Sequence, residues 1–427
     1  MKEKAIHYTK KILTHELVSG SSVLFIGTMV ANVFAFLFNL FVVRKISYSA
    51  YGEYSALISL FTLATIPAQS LSPVIVRFAS SYLAKKEEGK ASGFYLHMLS
   101  FLSIVAIFMF VGFLLGNGYL KQFLHIANTG YIVLVGTIVA VSYISIVNSA
   151  FLQSLLKFGF ISVVTSLGSI IKLTVGVILV LLGYQVGGIL WAILLSLLVG
   201  FILGFYPLKR FIFNTHTDRT IALKEIIVYA LPTLVAFFAL SSFTSTDVLL
   251  VKHFFSGDNA GLYSGLSLVG RVIFYFTAPI TAVMFPLVIK RHEEKRNFHS
   301  LFFVATSLVL LPSVAITVFY FLFPTIAVSI LLGGKGYVAI APYIGWYGIF
   351  LCLFSILNVF VNFFLSLKHT EVVILVGLGA LSQAIGISLF HTNFASVIEV
   401  SIITSFGLLL LLLLYYYKLY ALSKKTS

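Results

Sequence analysis

Charged residues are scarce in this sequence of 427 residues. Asp, Glu, Lys and Arg together make up 10% of the chain, whereas about a quarter of a soluble domain is charged. Hydrophobic residues make up 60%, and the mean hydropathy is +1.07. This composition excludes a soluble globular protein and predicts a chain that is embedded in a lipid bilayer.

Cysteine is almost absent as well. The single residue, Cys352, lies in an apolar run, which excludes an intramolecular disulfide and a metal site built from cysteines. No cluster of His, Asp or Glu has the spacing of a metal site, and no pair of carboxylates lies at a membrane edge, as a glycan-modifying enzyme would need. We therefore expect no bound metal, no cofactor and no enzyme activity.

The sequence also has no small-residue cleavage site near its N-terminus. The first 16 residues, MKEKAIHYTKKILTHE, are basic and precede a long apolar run, so we expect a juxtamembrane or interfacial segment rather than a removed signal peptide. The formal net charge is +15. The basic residues are spread between hydrophobic segments and not over a soluble face, so nucleic acid is not a predicted partner.

Long apolar runs recur along the whole chain, each with enough residues to cross a hydrocarbon core of ~30 Å. They predict an all-α integral membrane protein with two six-helix bundles, in residues 1–208 and 224–427, joined by a cytoplasmic linker at 209–223. Most of the 28 Lys and Arg residues flank the spans on the side of the N-terminus, so both termini are predicted to be cytoplasmic, in the cell membrane. The predicted spans are 18–43, 51–80, 92–116, 130–155, 159–183, 187–208, 224–251, 260–289, 298–323, 340–366, 371–390 and 394–417.

Two junctions between spans resemble each other. Gly52, Tyr54 and Ser55 in the first match Gly261, Tyr263 and Ser264 in the second, and Asn39 matches Asp247. Further on, QSLLKFGF at 153–160 matches FLSLKHTE at 364–371, which places Lys172 opposite Gln383. Six predicted helices precede the second copy, so the copies have the same orientation and should be related by a pseudo-two-fold axis along the membrane normal. This plan is typical of a transporter with a central cleft.

Three basic residues remain inside predicted spans: Arg77, Lys172 and Arg271. A charge at the bilayer centre costs at least ~2.5–3.5 kcal/mol on insertion scales, so these side chains should face protein or water. Arg77 has the alternative of extending to the cytoplasmic interface. Asp247 is the one clear acidic residue at depth, and it is predicted either to pair with one of these cations or to couple transport to an ion.

Polar residues also share helical faces in several predicted spans. Such faces contact a glycan or hold neighbouring helices together, and the sequence leaves both interpretations open. The candidates for glycan contact are Asn32, Asn39, Gln69, Asn148, Gln153, Asn358, Asn362 and Gln383. The excess of deep cations favours an anionic substrate, and a phosphate or pyrophosphate is the natural partner of Arg and Lys.

Three segments resemble the multidrug/oligosaccharidyl-lipid/polysaccharide (MOP) exporter superfamily, and within it the polysaccharide flippases of the O-antigen and capsule type (Wzx-like). They are FVVRKISYSAYGEYSALISLF at 41–61, TDVLLVKHFFSGDNAGLYSGLSLVGRVIF at 246–274 and ILLGGKGYVAIAPYIGWYGIF at 330–350. The resemblance extends helix by helix over the whole chain.

The resemblance implies a flippase that carries an undecaprenyl-pyrophosphate-linked oligosaccharide to the outer leaflet by alternating access. It also implies contact with membrane lipid and, as partners, a glycan polymerase and a chain-length regulator. Lipid II flippases of the superfamily use arginines in helices 2 and 8, the predicted helices of Arg77 and Arg271. Two alternatives remain: a cation-coupled multidrug antiporter of the same superfamily, and a membrane glycan polymerase or glycosyltransferase.

Overall fold

The structure is a computed structural model that describes residues 16–212, 223–294, 296–333, 335–367 and 369–423. These residues are helical or in short connections, and no β-strand occurs among them. Within them, twelve helices are long and apolar enough to cross a membrane. The prediction of an all-α chain with twelve spans is confirmed. The basic N-terminal segment, most of the predicted linker and the last four residues lie outside the described residues.

The helices follow the predicted spans closely, with a few additions. In chain order they are α1 (Glu16–Lys45), α2 (Tyr48–Ala84), α3 (Glu88–Leu115), α4 (Asn117–Leu124), α5 (Thr129–Ser154), α6 (Phe158–Leu181), α7 (Gln185–Phe205), α8 (Lys209–Ile212), α9 (Leu223–Phe254), α10 (Gly257–Gly270), α11 (Val272–Glu293), α12 (His299–Leu322), α13 (Pro324–Leu332), α14 (Ala341–Ser366), α15 (Val372–Leu389) and α16 (Phe394–Ser423). Short 3₁₀ turns occupy Tyr206–Leu208 and Lys335–Ile340.

The additions are three short helices, α4, α8 and α13, and one break. α4 and α13 each follow the third long span of their half of the chain, where sequence reasoning expected only links. Pro324 starts α13, because a proline at the first helical position loses no hydrogen bond, and Gly333 ends it in the left-handed conformation (φ 70°). The predicted span 260–289 is divided at Arg271 into α10 and α11.

The chain forms two compact units that do not follow chain order. Unit 1 comprises residues up to Ile46 together with Ala64–Ala230, and unit 2 comprises Ser47–Leu63 together with Leu231–Ser427. The first part of α2 therefore packs with unit 2 and the remainder with unit 1. The division into 1–208, 209–223 and 224–427 describes the order of the spans and stays a prediction.

Unit 1 is held together by close helix contacts at small residues. A Cβ at Gly27 of α1 would collide with Ser162 of α6, and one at Gly176 of α6 would collide with the Phe38 ring of α1. Ser196 of α7 donates a hydrogen bond of 2.7 Å to the Gly168 carbonyl of α6. Small residues and hydroxyls that bring backbones together are the usual means of helix association where the surroundings are apolar.

Unit 2 is built around α14, which is the most deeply buried of the twelve candidate spans. Ser355 of α14 accepts a hydrogen bond of 3.1 Å from Thr277 of α11, and Tyr320 of α12 donates one of 2.7 Å to the Val269 carbonyl of α10. Near the other end of the unit, Phe302 of α12 stacks on Tyr416 of α16. These contacts fix α10, α12 and α16 around a common core.

Candidate functional site

The exposed face of α2 within unit 1 is polar. Gln69, Pro73, Arg77 and Ser81 follow one another at four-residue steps, and they are the only exposed residues between Phe61 and Leu83. The exposed side chains of α3 are different, and they include Phe101, Ile104, Ile107, Phe108 and Val111. An apolar surface such as that of α3 suits lipid, whereas an arginine and a glutamine on a transmembrane face suit water or a polar ligand.

Lys172 lies on α6, in the same unit. It is half-buried, and its Nζ lies 5.4 Å from the centroid of the Phe38 ring on α1. That distance is within cation–π range, and it places the ammonium group beside α1 rather than in open lipid. Asn32 is exposed on α1 and Asn39 is half-buried there.

The deep charge of unit 1 is positive by sequence. No Asp or Glu occurs at residues 17–52, 54–86 or 89–217, while Arg77 and Lys172 both lie within spans. Positive charge at membrane depth needs an anion, water or π-electrons to offset the loss of hydration. Unit 1 therefore carries an excess of deep positive charge.

In unit 2, Asp247 lies on α9 and is fully buried. Its Oδ1 accepts a hydrogen bond of 2.8 Å from the Val248 backbone N–H. Its Oδ2 accepts two of 3.0 Å each, from the hydroxyls of Tyr263 on α10 and Tyr347 on α14. Tyr347 also contacts the Ser267 hydroxyl at 3.1 Å. The carboxylate is thus held by tyrosines of two other helices.

Arg271 lies at the break between α10 and α11, in the same part of unit 2. Its guanidinium Nη2 donates to the carbonyl oxygen of Thr244, one turn before Asp247 on α9. Its Nε is buried without a hydrogen-bond partner. Arg271 lies within electrostatic reach of Asp247, but no direct ion pair joins them. Asp247 therefore offsets this cation at a distance while its hydrogen bonds go to tyrosines.

A second pair of opposite charges is buried in unit 2. Lys252, in the last turn of α9, is only 3% exposed, and Glu53, in the first part of α2, is 8% exposed. Glu53 lies within electrostatic reach of Lys252. The predicted span ended at residue 251, whereas α9 continues to Phe254 and includes the buried Lys252.

Two of the predicted glycan contacts are buried between helices in this structure. Asn148 is 2% exposed, and its Oδ1 accepts a hydrogen bond of 2.8 Å from the Tyr95 hydroxyl inside unit 1. Gln383 is fully buried in unit 2, where its Nε2 donates to the Phe243 carbonyl and to the Ser401 hydroxyl. Both amides connect helices of their own unit, which is the common role of polar residues in membrane helices.

The other amide candidates are more accessible. Gln69 is exposed and donates a hydrogen bond of 3.0 Å to Thr65. Gln153, at the end of α5, is half-buried. Asn358 and Asn362 are half-buried one turn apart on α14, and the Asn362 amide donates to the Asn358 backbone carbonyl at 2.9 Å. These residues remain candidates for contact with sugar hydroxyls.

Sequence reasoning missed the residues that surround Asp247 and Arg271. Tyr263 and Tyr347 supply hydrogen bonds to the carboxylate, and Tyr51 lies within electrostatic reach of Arg271. The sequence did single out Tyr263, because it belongs to the Gly-x-Tyr-Ser pattern that the two junctions share. The pattern indicated a duplicated junction, but only the fold shows that its tyrosine contacts the buried acid of the preceding helix.

Comparison with known proteins places this architecture in a family. Residues 17–292 match the family model described as polysaccharide biosynthesis protein. The chain is similar to the uncharacterized membrane protein MJ1375 of Methanocaldococcus jannaschii, with 25% identity over 298 residues that cover 65% of this chain and 69% of the relative.

Solved structures show the same fold at low sequence identity. An inward-facing multidrug resistance transporter of the MATE family matches with a TM-score of 0.72 at 14% identity, over 96% of this chain and 100% of the other. The lipid II flippase MurJ, in an inward closed conformation, matches with a TM-score of 0.67 at 17% identity, over 92% of this chain and 87% of the other. With the family model covering more than half of its residues, this chain belongs to the polysaccharide biosynthesis protein family.

Proposed function

We propose that this protein is a flippase that moves a lipid-linked saccharide with a phosphate or pyrophosphate link across the cell membrane. The polar, arginine-bearing face of α2 is the observation that carries the proposal. A transmembrane face that exposes Gln69, Arg77 and Ser81 would be energetically costly in contact with hydrocarbon. The family match and the lipid II flippase among proteins of the same fold support the same class of substrate.

The preferred substrate is an undecaprenyl-pyrophosphate-linked oligosaccharide of the O-antigen or capsule type. Arg77 and Lys172 provide positive charge for the pyrophosphate, and Arg271 contributes from unit 2, where Asp247 offsets part of its charge. Asn32, Gln69 and the other accessible amides offer hydrogen bonds to sugar hydroxyls. The polyprenyl chain stays in lipid, and transfer to the outer leaflet follows alternating access with both termini in the cytoplasm. A glycan polymerase and a chain-length regulator are the proposed protein partners.

Asp247 is the proposed coupling residue. It is a fully buried acid on a transmembrane helix and has hydroxyl and N–H donors rather than a direct cation as its contacts. Such a carboxylate changes its interactions with α10 and α14 when it gains or loses a proton, which gives transport a route to depend on pH.

The test is transport of a fluorescent undecaprenyl-pyrophosphate-linked disaccharide by the purified protein in lipid vesicles. We expect Arg77→Ala to weaken apparent affinity by about 10- to 100-fold, since a hydrogen bond to a charged group contributes roughly 1.5–3 kcal/mol. Arg77→Lys keeps the charge and loses less. Lys121→Ala, which removes an exposed cation of α4 outside the polar face of α2, serves as the control and should transport normally. Unchanged transport by Arg77→Ala would contradict the proposal.

A cation-coupled drug antiporter is the second candidate, favoured by the similarity of the fold to MATE transporters. Its substrates are lipophilic cations, which need acidic or aromatic surroundings at depth. The deep charge of unit 1 has the opposite sign, and the deep acid of unit 2 is buried and hydrogen-bonded to tyrosines. Export of a rhodamine-type cation in the same vesicles, without transport of the lipid-linked sugar, would select this candidate instead.

A further inference from the structure

A groove of about 750 Å³ runs between α1 and α6 on the surface of unit 1. Its α6 wall extends from Gly159 to Ile170, which is about 16 Å at a rise of ~1.5 Å per residue. The lining residues of α6 follow one another at short helical intervals, so they share one face of the helix. The α1 wall includes Gly27 and Val30. The groove is thus a track along about half of a transmembrane helix.

The surface of the groove is mainly apolar, although two serines lie in it. The Ser166 hydroxyl donates a hydrogen bond of 3.3 Å to the Gly27 carbonyl, and Ser162 is only 6% exposed. The apolar residues are more accessible, since Val163 is 64% exposed and Ile170 is 40% exposed. The groove therefore offers mainly hydrocarbon to a ligand.

Close packing of the two helices sets the width of the groove. A Cβ at Gly27 would lie 2.3 Å from the Ser162 Cβ, so the backbones approach as closely as small residues allow. A track between two helices in contact holds one hydrocarbon chain. A glycerophospholipid of the bilayer carries two chains, whereas a polyprenyl phosphate carries one. The shape of the groove therefore favours the single-chain lipid.

A basic residue lies at the end of the groove where α6 begins. Lys157 is exposed and directly precedes α6, two positions before Gly159. None of α5, α6 and α7 carries an acidic residue that could neutralise it. In the proposed orientation this end of α6 lies at the cytoplasmic surface, where a lipid of the inner leaflet has its phosphate. A lysine there and an apolar track towards the bilayer centre match the two parts of a polyprenyl phosphate.

A lipid chain in the groove has to exchange bilayer contacts for protein contacts. Lipid tails are as apolar as leucine, so burial alone gives no gain inside the membrane. The gain comes from van der Waals contacts, which are small one by one and add up where a fixed concave surface surrounds the chain. Binding therefore depends on the shape of the groove, and a side chain that fills the groove should remove it.

We propose that the α1–α6 groove is a loading site for the lipid part of the substrate, with the first isoprene units in the groove and the phosphate at Lys157. This inference rests on the proposed flippase function and specifies how the substrate is held before transfer. The remainder of the polyprenyl chain extends from the groove into lipid. Lys172 lies on α6 two residues beyond Ile170, so a head group that moves inward along α6 meets its next cation there.

The test fills the groove from positions where the fold tolerates a larger side chain. Gly159 is exposed, and a Cβ there meets nothing within 4 Å, so Gly159→Leu obstructs the groove without a clash. Val163→Trp is a second filling variant. Gly112→Leu on α3 is the matched control, because Gly112 is also exposed with open space at its Cβ and lies outside the groove.

The probe is undecaprenyl phosphate with a photoreactive diazirine on an isoprene unit close to the phosphate. Each variant is illuminated with the probe in lipid nanodiscs, and peptide mass spectrometry locates the labelled residues. We expect labelling of residues 159–170 in the parent chain and in Gly112→Leu. Both filling variants should lower this labelling by about tenfold or more, because the chain loses the contacts that hold it.

Competition identifies the occupant of the groove. Unlabelled undecaprenyl phosphate should displace the probe, whereas the same concentration of phosphatidylglycerol, an anionic lipid with two chains, should not. Equal competition by phosphatidylglycerol would show a groove for bilayer lipid and overturn the inference. Labelling of the filling variants at the level of the parent chain would overturn it as well.

Lys157→Gln tests the phosphate end of the groove. We expect the Kd for undecaprenyl phosphate to rise about three- to tenfold, since an exposed charge pair contributes less than a buried one. The Kd for undecaprenol, which has no phosphate, should stay the same. Lys85→Gln, which removes an exposed lysine directly after α2, is the control and should bind both lipids normally. An unchanged Kd for undecaprenyl phosphate in Lys157→Gln would overturn the proposed position of the phosphate.

These binding measurements use a lipid without sugar and need no transport. Groove-dependent binding without transport of the fluorescent disaccharide would overturn only the proposed function. Transport by Gly159→Leu at the rate of the parent chain, with unchanged labelling, would overturn only the loading site.

Discussion

The environment of Asp247 shows how this protein keeps an acidic residue away from water. The side chain accepts three hydrogen bonds, and two of them come from tyrosine hydroxyls on different helices. Arg271 supplies a compensating positive charge without direct contact. Removing one partner from such an arrangement leaves a buried polar group without a hydrogen bond, which lowers stability by about 1–3 kcal/mol or more. At this scale the residue acts in structure as well as in the proposed coupling.

Asp247→Asn and Asp247→Leu separate these two roles. Asparagine keeps hydrogen-bonding capacity and removes the charge, so we expect a folded protein whose transport rate no longer changes with external pH. Leucine leaves the hydroxyls of Tyr263 and Tyr347 without an acceptor, and the free energy of unfolding should fall by about 3–5 kcal/mol. The measurements are thermal unfolding of each variant and its vesicle transport between pH 5.5 and 8. These pH values span roughly the range in which buried carboxyl groups titrate. Transport by Asp247→Asn with the pH dependence of the parent chain would exclude the coupling role.

At the scale of single elements, glycine determines where α2 and α10 meet. Gly52 and Gly261 allow the backbones to approach, and Tyr48 packs its ring edge-on against Tyr337 with centroids 4.7 Å apart. The repeated pattern in the sequence is therefore a pair of complementary surfaces. Its glycines serve close approach and its tyrosines serve burial and hydrogen bonding.

Gly261→Ala tests this contact directly. The added methyl group would collide with the Tyr48 carbonyl, and overpacking of this kind costs about 1–3 kcal/mol. We expect a lower melting temperature in detergent. Gly112→Ala on α3 is the control, because a Cβ there meets nothing within 4 Å and alanine has the higher helix propensity. Equal melting temperatures for the two variants would show that the glycine contact is not tight.

At the scale of the whole molecule, the two units carry their deep charges differently. Unit 2 has an acid near each of its deep cations, Asp247 near Arg271 and Glu53 near Lys252. In unit 1, Arg77 and Lys172 lie in spans that have no Asp or Glu within nine residues of either side chain along the sequence. Recognition of an anionic head group should therefore depend mainly on unit 1.

The consequence is a transport rate that depends on salt. Raising ionic strength from about 0.1 M to about 1 M shortens the Debye length from ~10 Å to ~3 Å, so we expect the KM for the anionic disaccharide probe to rise several-fold. In a double variant, Arg77→Ala with Lys172→Met, the KM should already be high and should change little with salt. A salt response of equal size in parent and variant would assign recognition to other residues.

The sequence predicted the spans well because hydrophobic length is a local property. It also identified the repeated junction, because duplicated residues are visible without a structure. The orientation of single polar residues was harder to predict. Asn148 and Gln383 carry the same amide group as the accessible Asn and Gln residues and also lie inside predicted spans, but packing against other helices buries them. The two tyrosine hydrogen bonds of Asp247 come from residues 16 and 100 positions away, and no local pattern reports contacts of that range.

The shared helix α2 has a consequence for the history and the handling of the protein. The repeat suggests a duplicated six-helix ancestor, yet the 47–63 segment is encoded in the first half and buried in the second. A C-terminal half expressed alone would leave the surfaces of Gly257, Gly261 and Gly336 bare, and an N-terminal half would begin α2 with apolar and aromatic side chains that have lost their binding site. Each half thus depends on the other for its packing. A chain that is split genetically between the halves should function only when both fragments are produced together.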